Sequence, residues 1–132
     1  LGKIYPIVDG KDVVIFATGV MVSKSVEAAE KLKKEGVSVQ VVNVSTLKPL
    51  KKDEVLKYAA GKKAIVTAEE AVKIGGLGEA IAALLYGEVT TPLARVAIDD
   101  RFGQSAHGYE ELLKEYGIST EDVYQAVKKT LK

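Results

Sequence analysis

The residues Asp100 to Ser119, "DRFGQSAHGYEELLKEYGIS", place an Asp-Arg pair (Asp100, Arg101), Ser105, three glutamates and the chain's single histidine, His107, in one short stretch. Such a set invites nucleophilic or acid–base chemistry, since an imidazole beside a hydroxyl can take its proton. Nothing resembling a G-x-S-x-G elbow surrounds Ser105, so Ser105 and His107 are not read as a nucleophile and base. Arg101 carries the planar fork that clamps a carboxylate or phosphate, and Lys48 and Lys73, in loops, are placed to assist it.

Two further constellations compete. Glu69-Glu70 and Asp99-Asp100 each close a predicted strand. Were they to converge, they would form an acid/base pair or hold magnesium, because neighbouring carboxylates split their pKa values or chelate a hard cation. We read them instead as helix caps and ion-pair partners of lysine or Arg101. The glycines of "GGLG", Gly75 to Gly78, precede a helix, whose free N–H groups can receive a phosphate. Gly75, Gly76, Gly78 and Arg101 therefore make up the candidate anion site. The spacing fits neither GxGxxG nor a P-loop. Ala80, Ala82 and Ala83 follow, which favours close helix packing as the glycines' work.

These residues need a frame, and the pattern supplies one. "DVVIFATG" is a continuous apolar, β-rich run, as a strand buried on both faces requires. "VSKSVEAAEKLKKEG" puts Val22, Val26, Ala29 and Leu32 on one helical face, with Gly36 as its stop. The alternation continues with a strand over Val37 to Thr46, a short helix ending near Gly61, the strand "KAIVTAEEA", the helix after GGLG and the strand "PLARVAID". Two helices finish the chain. The first carries Tyr109, Leu112, Leu113 and Tyr116 as an apolar stripe, and the second opens with Ser119 and Asp122 in capping-box spacing and buries Val123, Val127 and Leu131. "KIYPIV" contains Pro6, which cannot donate to a ladder, so it is read as an edge strand, antiparallel to its neighbour. The expected fold is a three-layer α/β domain spanning residues 1–132, with helices on both faces of a mostly parallel sheet. In such sheets ligands collect beyond the carboxyl ends of the strands, where all the candidates above fall.

Composition narrows the chemistry. The 132 residues carry 19 Lys plus Arg against 18 Asp plus Glu, a net charge of +1, so no summed field recommends nucleic acid or a membrane as partner. The absence of cysteine removes disulfides, thiolate chemistry and Cys-ligated metals. No apolar run approaches the roughly 18 residues that span a bilayer, and a cytoplasmic location is the default expectation. The chain opens at Leu1 and its one methionine is Met21, inside a predicted element, so an excised domain of a longer protein is expected.

Taken in order, "DVVIFATGVMVSKSVEAAEKLKKEGVSVQVVNVSTLKPL", "AIVTAEEAVKIGGLGEAIAALL" and "DRFGQSA…ELLKEYGIS" resemble the C-terminal domain of transketolase, from about Asp12 to the end. The resemblance implies an α/β/α fold with a five-stranded, mostly parallel sheet and one antiparallel edge strand. It also implies two-carbon ketol transfer between sugar phosphates by a full enzyme using thiamine diphosphate and Mg2+. In the family those groups sit on the other domains and are assembled across a homodimer, so no catalytic, cofactor-binding or metal-binding residue is expected on this domain. Its partners are then the remaining transketolase domains or subunit, and its role is structural, dimer-forming or regulatory. Asp100 and Arg101 are expected to pair and hold the turn at Phe102-Gly103. The sequence departs from the family at Ala71, where many members carry His, and at Ala106, where many carry Gly. Deoxyxylulose phosphate synthase and the β subunits of 2-oxoacid dehydrogenases share this domain. Two readings stand beside the transketolase one: a phosphate- or nucleotide-binding regulatory module, and a free-standing domain that completes a split enzyme.

Overall fold

The computed structural model describes residues 4–45, 50–72, 76–98 and 119–132. Its elements run β1 (Ile4–Val8), β2 (Val13–Ala17), α1 (Met21–Lys34), β3 (Val39–Val44), α2 (Lys52–Ala59), β4 (Ala64–Val72), α3 (Leu77–Leu85), β5 (Leu93–Ile98) and α4 (Thr120–Leu131). The strands form one sheet in the order β1-β3-β2-β4-β5. Only the β1–β3 pairing is antiparallel. The expected mixed five-stranded sheet with an antiparallel edge is thus observed, and among the described residues no helix is long and apolar enough to cross a membrane.

The winding follows from handedness. The chain steps from β2 to β3 through α1, then reverses across β2 to β4 and on to β5 through α2 and α3. Right-handed crossovers in opposite directions must pass over opposite faces of the sheet. Accordingly Val13, Ile15, Ala17, Val41, Val66 and Val96 pack with α1 and α4 on one face. Val14, Phe16, Val42, Val44 and Ile65 pack with α2 and α3 on the other. β2 is central and all five of its residues are buried, which explains its unbroken apolar sequence.

The expected face of α1 is observed at Ala29 and Leu32 and shifted at Val22 and Val26. Met21, Ser25, Ala28, Ala29 and Leu32 are buried against the sheet, while Val22 and Val26 are only partly buried at the flank. The middle of that seam is small, with Ser25, Ala28 and Ala29, and Met21 and Leu32 fill its two ends.

The α4 start is as its sequence spacing predicts. Ser119 Oγ accepts from the Asp122 N–H, and Asp122 Oδ2 accepts from the Ser119 N–H at 3.0 Å. Val123 and Val127 are fully buried and Leu131 packs partly against the same cluster. On the outside, α4 is clasped to α1 by Lys31–Glu121 and Lys128–Glu35 contacts, both at 3.1 Å, with the Lys31 ammonium 4.2 Å above the Tyr124 ring.

Tyr124 donates to Glu35 Oε2 at 2.6 Å. This bond, followed by Lys128, holds the Glu35 carboxyl below its ordinary value of 4.5. A carboxyl depressed on folding stabilises the fold above its unfolded value, and that contribution disappears as pH falls through the folded value. The clasp therefore loosens on acidification. Tyr124→Phe keeps the ring beneath Lys31 but removes the hydroxyl, and is expected to return Glu35 toward its ordinary titration. Carboxyl NMR would follow this, and an unchanged Glu35 midpoint would show that the hydroxyl does not hold it.

Candidate functional site

The candidate site lies at the carboxyl ends of β4 and β5, where the chain passes into α3. β4 continues to Val72, so Glu69 and Glu70 sit within the strand and not at its end. Successive strand residues point to opposite faces. Glu69 is buried, 1% exposed, on the α3 face, whereas Glu70 is exposed on the other, with its Oε1 3.5 Å from where a Gly19 Cβ would stand. The two glutamates therefore do not converge. Asp99, Asp100 and Arg101 lie outside the described residues, as do Lys48, Lys73, Gly75, Ser105 and His107.

The Glu69 carboxylate closes the start of α3 from within the fold. Its Oε1 accepts from the Leu77 N–H at 2.6 Å and its Oε2 from the Gly78 N–H at 2.7 Å. A carboxylate here satisfies two of the helix's orphan donors and lies at the positive end of its dipole. Arg95, on β5, reaches the same Oε2 with Nη2 at 3.4 Å. Arg95 stands directly beside Thr67 in the β4–β5 register, so the alternation that turns Thr67 and Glu69 toward α3 turns Arg95 there as well.

The packing explains one of the glycines. A Cβ at Gly78 would stand 1.9 Å from Arg95 Nε and 2.6 Å from Arg95 Cδ. Only a residue without a side chain lets the guanidinium lie across the first turn of α3 and reach Glu69. Gly76 is the N-cap and supplies no side-chain cap, leaving that work to Glu69. The anion at this helix start is thus the chain's own carboxylate.

Sequence reasoning counted Glu69 among the candidates but not Arg95, which sits inside an apolar run. The available signal was a lone arginine in a predicted buried strand, since a buried cation requires a carboxylate partner. Two main-chain N–H groups and a guanidinium around one buried carboxylate make a latch tying β4, β5 and α3 together. Chemically it presents no nucleophile and no base that a substrate can reach. Among the described residues no group of His, Cys, Asp or Glu is placed to hold a metal ion. The Leu77 and Gly78 N–H groups already serve Glu69, so the start of α3 does not offer them to a magnesium-bound diphosphate.

Comparison with known proteins supplies the context. The family model for the transketolase C-terminal domain matches residues 2–123. A 6-deoxy-6-sulfo-D-fructose transketolase subunit, SqwH, of Clostridium sp. (strain MSTE9) is 42% identical over 96% of this chain and 39% of its own length. A 1-deoxy-D-xylulose-5-phosphate synthase of Caldanaerobacter subterraneus subsp. tengcongensis is 37% identical over 96% of this chain and 20% of its own. A solved split gene transketolase, described as an inactive beta4 tetramer, superposes with a TM-score of 0.90 at 40% identity, covering 98% of this chain and 42% of that one. The chain spans about two-fifths of the length of the first of these relatives and a smaller share of the synthase.

Proposed function

Because the chain belongs to the transketolase C-terminal domain family, we propose that it is the C-terminal lobe of a transketolase dependent on thiamine diphosphate and Mg2+. That enzyme moves a two-carbon ketol unit between sugar phosphates in the cytoplasm as a homodimer. The lobe supports assembly with the remaining domains or subunit, which hold the cofactor and metal, and transfers nothing alone.

The observation that carries this reading is the internal use of Glu69: the buried acid of β4 is consumed by Leu77, Gly78 and Arg95. The likeness to a split gene transketolase whose beta4 tetramer is inactive supports it. A deoxyxylulose phosphate synthase lobe is the second reading, favoured by the 37% identity to such an enzyme.

The test is reconstitution. Isothermal titration of this chain with thiamine diphosphate and Mg2+ is expected to release no binding heat, and ketol transfer should appear only when the remaining domains are added. Tight cofactor binding or turnover by the chain alone would overturn the proposal. Formation of 1-deoxy-D-xylulose 5-phosphate in place of ketol transfer would select the second reading.

A further inference from the structure

The described surface carries its large exposed apolar side chains at two places: Tyr5 and Ile7 on β1, 45% and 46% exposed, and Tyr86 after α3, 88% exposed. Tyr86 stands alone on a loop. Tyr5 and Ile7 belong to an edge strand, "IYPIV", that has no charged residue at all. Edge strands are ordinarily blunted by charge, by proline or by a bulge, because open ladder groups recruit foreign strands. Here the bulge falls between Pro6, paired with Val42, and Val8, paired with Val41, which leaves Ile7 unpaired. Pro6 and the bulge thus oppose backbone pairing while the side chains stay apolar. Val8 continues the surface into a groove of about 410 Å³, lined also by the apolar Ala29, Val37 and Val39 and by the charged Asp9, Glu30 and Lys33.

We infer that this β1 face, anchored by Tyr5 and Ile7, is the seat on which the preceding domain of the enzyme packs. The inference rests on the proposed function, since it names the partner surface of that same lobe. Three observations favour this occupant. The relatives are longer than this chain, which matches 39% and 42% of two of them, and the family is a C-terminal domain, so in those relatives a further domain precedes it. β1 runs antiparallel, with Ile4 opposite Val44, the last residue of β3. The preceding chain therefore enters at the carboxyl edge of the sheet, beside Tyr5. Finally, the Tyr5 hydroxyl accepts from Asn43 Nδ2 at 2.6 Å, which fixes the ring on β3 as a preformed anchor; rigid aromatic anchors of this kind dominate interface energetics.

The experiment compares this chain alone and with the remaining domains of the enzyme. Hydroxyl-radical footprinting should show Tyr5 and Ile7 protected on assembly while Tyr86 keeps its reactivity. The double variant Tyr5→Ser/Ile7→Ser, whose side chains are already half in water, should melt as the parent does yet dock at least about tenfold more weakly, read as the concentration needed to restore ketol transfer. If the parent chain restores activity while Tyr5 stays reactive and the variant docks equally well, the inference fails and the proposed function survives. If the parent restores nothing, both fail. Protection of Tyr5 that rises with the concentration of this chain alone would assign the face to a second copy and overturn the inference.

Discussion

Glu69→Ala is expected to destabilise the domain by about 3 kcal/mol, read as the loss of unfolding free energy in urea with an unchanged slope. The carboxylate is 1% exposed and receives the Leu77 and Gly78 N–H groups and the Arg95 guanidinium. Removing it leaves two helix donors without their acceptor, each worth on the order of 1 kcal/mol, and a cation without this carboxylate. Breaking a fully buried pair costs about 3–5 kcal/mol; the Arg95 side chain is 24% exposed, so water recovers part of that and the lower end applies. Glu69→Gln is not an innocent replacement. One amide oxygen can serve one N–H, but the NH2 then faces the other donors, so a loss of about 2 kcal/mol is expected. A Glu69→Ala loss below about 1 kcal/mol would show that the latch does not hold α3 to the sheet.

Gly10→Ala should cost about 3 kcal/mol, at the upper end of overpacking effects. A Cβ there would stand 2.2 Å from the Val39 carbonyl carbon and 2.3 Å from the Gln40 nitrogen. Those atoms are β3 backbone, and β3 is held between β1 and β2, so neither can yield as the end of a flexible side chain would. The strain must fall on the turn joining β1 to β2, lifting β1 from β3. Thermal unfolding measures the loss, and amide exchange should locate the loosening in residues 4–8. A variant as stable as the parent would mean that this turn shifts freely, in which case β1 is a poor foundation for an interdomain contact.

The two substitutions mark where sequence reasoning reached and where it stopped. Among the described residues, strand and helix order was legible because each element repeats its own signal: an unbroken apolar run in β2, the Ser119–Asp122 spacing ahead of α4, a proline in β1; the expected helix of Tyr109, Leu112, Leu113 and Tyr116 lies outside them. Those signals are local, so they survive without knowledge of neighbours. The strand "KAIVTAEEA" ends within one residue of β4, but Glu69-Glu70 reads as polar punctuation closing it, while both glutamates lie inside the strand. On α1 the expected Ala29 and Leu32 are buried, but Met21 and Ser25 take the places of Val22 and Val26, because periodicity cannot tell which of two adjacent stripes lies nearest the sheet.

By itself, the amino-acid sequence determined the fold class, the edge position of β1 and the family, since periodicity, capping and motif order are written along the chain. Tertiary structure alone decided that Glu69 meets the start of α3, that Arg95 crosses Gly78 to reach Glu69, and that Gly10 lies against β3. These are distances between residues remote in sequence. They arise only when the crossovers set β5 beside β4, lay α3 over one face of that pair and bring the β1–β2 turn against β3, and no local pattern encodes those meetings.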